Sequence, residues 1–165
     1  MQGDILQLIV IRNGSELTKM IKELIITELK EKGLKVTPQR MAIIEVLVEW
    51  GDLHPGARLV YEEAKKKKRS LSLSTNYATL NELSRHGIIK TLQFDRMENR
   101  YDRNPKEHIN LICERCKKIL DYKVPIAVDQ KELAKKTGFS MTDSRLEYYG
   151  YCKECRKDKG IKVGL

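Results

Sequence analysis

Apolar residues recur at helical spacing in SELTKMIKELIITELKEK, residues 15–32, through Leu17, Ile21, Leu24, Ile25 and Leu29. Gly33 follows, and glycine commonly stands just past a helix C-terminus, so the pattern predicts a helix that stops there. In KVTPQRMAIIEVLVEWGD, Thr37 can accept from the exposed N–H groups of a first turn and Pro38 suits the first helical position. A second helix is therefore expected from Pro38 to about Trp50, and a third over 56–69. LSTNYATLNELSRHG predicts a fourth, capped by Ser74 or Thr75, with Tyr77, Leu80 and Leu83 on one face and a stop at Gly87.

The period then changes. IIKTLQFDRMENRYDRN holds two short strand-like runs joined by a polar turn at 96–99. Helices followed by such a hairpin define a winged helix-turn-helix, in which the helix from Ser74 to His86 enters the DNA major groove and the hairpin flanks it. Further on, INLIC and KILDYKV read as strands, VDQKELAKKTG as a helix ended by Gly138, and FSMTDSRLEYYGYC as another strand-like run. The expected fold is α+β. A winged-helix domain spans 15–103, and a small α/β domain over 104–165 is too slight to be stable without a staple or a partner. Residues 1–14 remain an unassigned N-terminal extension.

Composition narrows the class. With 41% hydrophobic and 33% charged residues, the 165-residue chain reads as a soluble globular protein. No apolar run matches the length of a membrane span. The opening MQGDILQLIVIRNG lacks the basic start and small-residue cleavage site of a secretory signal, so a cytoplasmic protein with no membrane partner is expected. A formal charge of +9, spread over both halves, points to a polyanionic partner and to nucleic acid first. KKKKR at 65–69 fits a solvated helix end as well as it fits phosphate steering.

All four cysteines fall in two C-x-x-C pairs, Cys113 with Cys116 and Cys152 with Cys155. Two such pairs can give Zn²⁺ four thiolates in a closed tetrahedral shell, tying one part of the small domain to another. Disulfides or free thiols are the alternative, and a cytoplasmic setting disfavours disulfides. A thioredoxin-like redox pair is disfavoured because neither motif is expected to open a helix after a strand. Of the three histidines, His86 stands beside the Gly87 stop, where a cationic side chain suits a helix end. His108 is not needed to complete the thiolate shell. If a fold brought His54 to His108, with Asp102 and Asp121, a second shell of N and O ligands suited to Fe²⁺ or Mn²⁺ would form. Spacing alone favours solvated polar residues instead.

The runs GLKVTPQRMAIIEVL, HPGARLVY, LSTNYATLNELSRHGIIK, NRYDRNPKEHINLICERCKKILDY and GFSMTDSRLEYYGYCKEC, over about 17–156, together resemble the ferric uptake regulator superfamily. The resemblance implies a homodimeric, metal-responsive transcriptional repressor of double-stranded operator DNA, not an enzyme, with a C-terminal dimerisation domain. It implies structural zinc on Cys113, Cys116, Cys152 and Cys155, and a regulatory Fe²⁺ or Mn²⁺ on His54, Asp102, His108 and Asp121. Asp121, where iron sensors commonly carry Glu, resembles the peroxide-sensing branch, in which bound Fe²⁺ lets peroxide oxidise ligand histidines. A zinc- or other-metal-responsive regulator of the same family is the alternative. Three departures from the pattern matter. Asn110 replaces a second histidine and offers only a weak, neutral oxygen ligand; Glu107 and Ile109 stand where some members build an additional site; and TNYA replaces T-V-Y-R, so Ala78 removes a basic side chain.

In such a protein Tyr77 would pack on a thymine methyl, with Ser74, Thr75, Asn76 and Thr79 around it and Asn76 pairing with adenine. Lys35 matches a lysine of the family that reaches the minor groove, and Arg40 is expected on a phosphate. A metalloenzyme lacks an accompanying nucleophile or general base. A zinc-stapled RNA-binding module lacks the aromatics of a base-stacking sheet, with 6% aromatic residues overall.

Overall fold

A computed structural model describes residues 14–94, 97–104, 108–123, 129–142 and 144–159. The chain divides into two compact units, Met1–Pro105 and Lys106–Leu165. Most of the N-terminal extension and Glu107 lie outside the described residues, as does part of the expected turn at 96–99.

In the first unit, α1 spans Gly14–Glu31 and α2 spans Pro38–Glu49. Thr37 caps α2 by accepting the Arg40 N–H at 3.2 Å, and Pro38 occupies its first turn. α2 buries Ala42, Ile43, Ile44, Val46, Leu47 and Val48. A helix apolar nearly all round belongs at the centre of a core. Ile25 and Leu29 of α1 join that core. So do Val60 and Ala64 of α3, Ala57–Lys67, and Leu80 and Leu83 of α4, Leu73–Arg85. Each buried Leu, Ile or Val contributes roughly 1.5–3 kcal/mol.

α4 begins earlier than the sequence pattern implies. Its cap is Ser72, whose Oγ accepts the Thr75 N–H at 3.0 Å, not Ser74 or Thr75. Ser72 Oγ also lies 2.7 Å from Thr75 Oγ1 and 2.9 Å from Ser74 Oγ, so three hydroxyls share one capping network. Hydropathy cannot rank three adjacent hydroxyl residues; the phase of Leu80 and Leu83 in the core does. Beyond α4, β1 (Lys90–Leu92) pairs antiparallel with β2 (Arg100–Asp102), placing Thr91 opposite Tyr101, to form the wing. Glu98 of the wing accepts the Arg58 N–H at 2.7 Å and so serves a free donor at the start of α3.

The second unit is a three-stranded sheet ordered β4-β3-β5. β3 (Ile109–Cys113) is antiparallel to β4 (Ile119–Tyr122) and parallel to β5 (Leu146–Gly150). α5 (Gln130–Thr137) is capped by Asp129, which accepts the N–H groups of Lys131 and Glu132, and α6 covers Lys153–Lys159. The strand expected over 139–152 is confined to β5, and α6 was not anticipated. Here the core is small: Ile109, Ile112, Ile119, Cys113 and Cys155 are buried, whereas α5 buries nothing. Such a unit needs more than hydrophobic burial to hold its strands.

Replacing Ser72 with alanine should cost about 1 kcal/mol of stability. Ser74→Ala, at an exposed residue off the cap, should change little. Urea denaturation of the two variants beside the parent checks the assignment, and a larger loss at Ser74 would move the cap back.

Candidate metal centres and nucleic-acid interface

The parallel register of β3 and β5 builds the cysteine cluster. It sets Cys113 opposite Gly150, and the Glu114 N–H donates to Gly150 O at 2.7 Å, so the chain delivers Cys152 beside the end of β3. Cys116 lies in the β3–β4 turn, which Lys117 closes in a left-handed conformation at φ 60°, and Cys155 stands in the first turn of α6. The four sulfurs lie within 4.8 Å of one another. Cys116 Sγ and Cys152 Sγ are 3.7 Å apart, well beyond a disulfide bond, and all four thiols are free. The second C-x-x-C does lead into a helix after a strand, contrary to expectation. Convergence of both pairs on one point is what argues against a redox dithiol.

The cluster's electrostatics fit a cation. The Cys113 thiol is lowered to about 6, chiefly by the Cys152 N–H, which donates to its sulfur at 3.4 Å, and next by the Cys116 N–H. Cys155 is pushed up to about 12 by burial and by the neighbouring sulfurs, and Cys152 is also raised. Cys113 ionises readily, whereas burial and hydrogen bonds to neighbouring groups hold Cys155 and Cys152 protonated, which opposes a shell of four thiolates. Zn²⁺ removes that conflict by ligating all four.

The nitrogen and oxygen ligands fall into two pairs, one in each unit. In the first, α2 gives way to a 3₁₀ turn, Gly51–Leu53, and then to His54, held left-handed at φ 48° and ψ 70°. The loop is fastened to β2: the Tyr101 N–H donates to Pro55 O at 3.0 Å and Gly56 bridges to Arg100. This brings a His54 ring nitrogen within 4.8 Å of an Asp102 carboxylate oxygen, both residues being buried. The Asn104 N–H holds Asp102 Oδ1 at 2.7 Å. In the second unit, buried His108 places Nε2 3.7 Å from Asp121 Oδ1. The β3–β4 register sets Asn110 opposite Asp121, and the buried Asn110 Oδ1 accepts no hydrogen bond among the described residues. An orphaned buried acceptor is costly, and a cation would relieve it.

On α4 the structure divides the residues expected on DNA. Tyr77 and Ser74 are exposed, and Thr75 is half-buried. Asn76 is wholly buried, with Nδ2 donating to Ala57 O at 2.9 Å, and Thr79 is buried beside it. Neither can meet a base; Asn76 ties α4 to α3 instead. Arg40 is likewise turned inward, paired with Glu82 of α4 and donating to Lys35 O, which takes it away from a phosphate. Lys35 is exposed. The outward stripe of α4 comprises Ser74, Tyr77, Ala78, Asn81 and Arg85, at helical spacing. Asn81 and Arg85 went unnoticed in the sequence, although their i+4 and i+8 offsets from Tyr77 carry the signal.

These features define a winged-helix protein whose second domain is stapled by four thiolates. The Ferric uptake regulator family profile matches residues 31–149, and the chain belongs to that family of transcription regulators. It is 36% identical over 134 residues to the Peroxide-responsive repressor PerR of Staphylococcus epidermidis, across 81% of this chain and 89% of that protein. It is 38% identical over 130 residues to the Peroxide operon regulator of Bacillus subtilis, across 78% and 89%. Among solved structures, the Helicobacter pylori ferric uptake regulator Fur, described with three functional metal-binding sites, aligns with a TM-score of 0.64. Identity there is 29%, over 84% of this chain and 93% of that one. Among the described residues no helix is long and apolar enough to cross a membrane.

Zinc and protons compete for the same sulfurs, and the raised thiols, Cys152 and Cys155, must lose theirs on binding. Zinc affinity should therefore climb with pH through the neutral range, by about tenfold per unit for each proton released. Chelator competition from pH 6 upwards measures this, and removal of zinc should expose the β3–β5 pairing to fast amide exchange.

Proposed function

We propose that the chain is a homodimeric repressor that binds operator DNA when Fe²⁺ or Mn²⁺ is held by His54, Asp102, His108 and Asp121. The observation that carries this reading is a buried imidazole beside a carboxylate in each unit, His54 with Asp102 and His108 with Asp121. Two imidazoles and two carboxylates form a hard, N/O donor set that suits Fe²⁺ or Mn²⁺ better than a thiolate-seeking ion. Asn110 adds a neutral oxygen of lesser strength. Because each unit carries half of the set, binding energy favours whatever arrangement of the units unites the halves. In a two-fold dimer that arrangement would present both α4 helices to major grooves roughly 34 Å apart or a multiple of it. Apolar residues left exposed on the second unit, Tyr148 and Tyr149 of β5 among them, support its use as the dimer face.

The stripe of Ser74, Tyr77, Asn81 and Arg85 then reads the groove. Tyr77 offers its ring to a thymine methyl and Asn81 its carboxamide to adenine, a role its buried neighbour Asn76 cannot fill. One relative is a peroxide-responsive repressor and another a peroxide operon regulator, and a response to peroxide is proposed here. When bound, Fe²⁺ would supply the one electron that starts cleavage of the peroxide O–O bond and would regain it from the imidazole; overall the imidazole gains one oxygen atom and the other leaves as water. His54 and His108 are the two histidines proposed to receive it.

Four outcomes test this. Protein purified without oxygen should contain a second metal beyond zinc and bind its own promoter region only with that metal present. His108→Ala should lose the metal response and keep its zinc; a variant that still responds to Fe²⁺ and Mn²⁺ would sink the sensor reading. Asn110→His should lower the metal concentration needed for half-maximal DNA binding. Peroxide treatment of the iron-loaded protein should add the mass of one oxygen atom to a peptide holding His54 or His108.

Base reading is tested separately. Asn81→Ala should cost about 1–3 kcal/mol of specific binding and leave binding to random DNA unchanged. Asn76→Ala should instead destabilise the fold by roughly 1 kcal/mol, through loss of the buried bond from Nδ2 to Ala57 O. Fluorescence anisotropy and urea denaturation of both variants distinguish the two residues.

A further inference from the structure

We infer that Arg103, which ligates nothing, is a positioning residue for the regulatory metal, because it locks together the two chain segments that carry His54 and Asp102. The inference rests on the sensing-site reading above. Arg103 directly follows Asp102 at the end of β2. Its guanidinium reaches back to the far segment: Nη1 donates to Val48 O at 2.8 Å and Nη2 to Asp52 Oδ1 at 2.6 Å.

One partner precedes the turn that leads to His54 and the other lies within it. Val48 O is among the last carbonyls of α2, which a helix leaves without intrahelical donors, so the arginine caps the helix. Asp52 lies inside the 3₁₀ turn whose end is His54, where the His54 N–H donates to Gly51 O at 3.0 Å. Gly51 makes room for the brace. A Cβ there would stand 2.2 Å from Arg103 Cδ, so any side chain would force the arginine to shift. The two arms are unequal. The Asp52 side chain is 87% exposed, and an ion pair in that setting is weakly stabilising. The Val48 carbonyl is the fixed anchor.

The geometry that results concerns the metal. His54 occupies a left-handed conformation that a non-glycine residue adopts only under constraint. Asp102 is fixed by the Asn104 N–H on the residue after Arg103. Arg103 thus adds a side-chain brace, from the residue after one ligand to the turn before the other, to the backbone bonds of Tyr101 and Arg100 that bring the two ligands together. Groups that orient metal ligands without touching the ion typically govern affinity by 10–100-fold.

The test is Mn²⁺ titration of the zinc-loaded full chain without oxygen, with free Mn²⁺ read by electron paramagnetic resonance. Arg103→Ala should weaken Mn²⁺ binding by roughly 10–100-fold with zinc content unchanged. Arg103→Lys, which keeps one donor, should fall between, and Asp52→Ala should bind nearly as the parent does. Gly51→Ala displaces the arginine without deleting it and should reproduce the loss, which keeps the test open if Arg103→Ala folds poorly. Ser72→Ala supplies a destabilised control away from the site and should leave Mn²⁺ affinity alone. If Arg103→Ala and Gly51→Ala bind Mn²⁺ like the parent, or if Ser72→Ala weakens it equally, Arg103 has no positioning role. If the parent itself takes up no Mn²⁺, the sensing-site reading fails first and this inference with it.

Discussion

β2 is bonded along both edges. On one side it pairs with β1; on the other, the Tyr101 N–H donates to Pro55 O and Arg100 bridges to Gly56. That second attachment fastens the segment after α2 to the wing and sets His54 near Asp102. Without it, the histidine would belong to a surface loop whose place in space varied with thermal motion. The cost of ordering such a loop, about 1–2 kcal/mol per residue, is met during folding and not when metal arrives. A ligand pair prepared in this way binds with less entropy to lose.

The molecule separates its candidate ligands by chemistry as well as by place. Four sulfurs converge on one position in the small unit. Metal there acts as part of the fold. Imidazole and carboxylate groups, one pair in each unit, prefer harder ions and bind them less tenaciously. A protein that must answer to changing metal supply needs one site that never empties and another that does, and the two donor sets match those demands.

Much of the architecture was legible because its signals are local. Thr37 before Pro38, glycine stops, and the spacing of Leu80 and Leu83 each report on a few neighbouring residues. The cysteine pairs were legible because four soft ligands at such spacing have few other uses. What the sequence hid was the direction in which polar side chains point. Asn76 and Thr79 look like groove-facing residues by type, yet a carboxamide satisfied by a backbone carbonyl is as much at home in a core as an aliphatic chain. Arg40 misled for the same reason, since its charge is answered by Glu82 within the fold. The approach of His54 to Asp102 depends on pairing between distant segments, and no local pattern records that.

α4 therefore carries two sequences interleaved on one helix. Leu80, Leu83, Asn76 and Thr79 are committed to the interior, whereas Tyr77, Ala78, Asn81 and Arg85 are exposed. After gene duplication, the outward set can drift while each intermediate stays folded and still answers to metal. If that face reads the groove as proposed, new operator preferences become reachable by single steps along it, which gives descendants of such a chain a route to separate regulons without rebuilding the sensor.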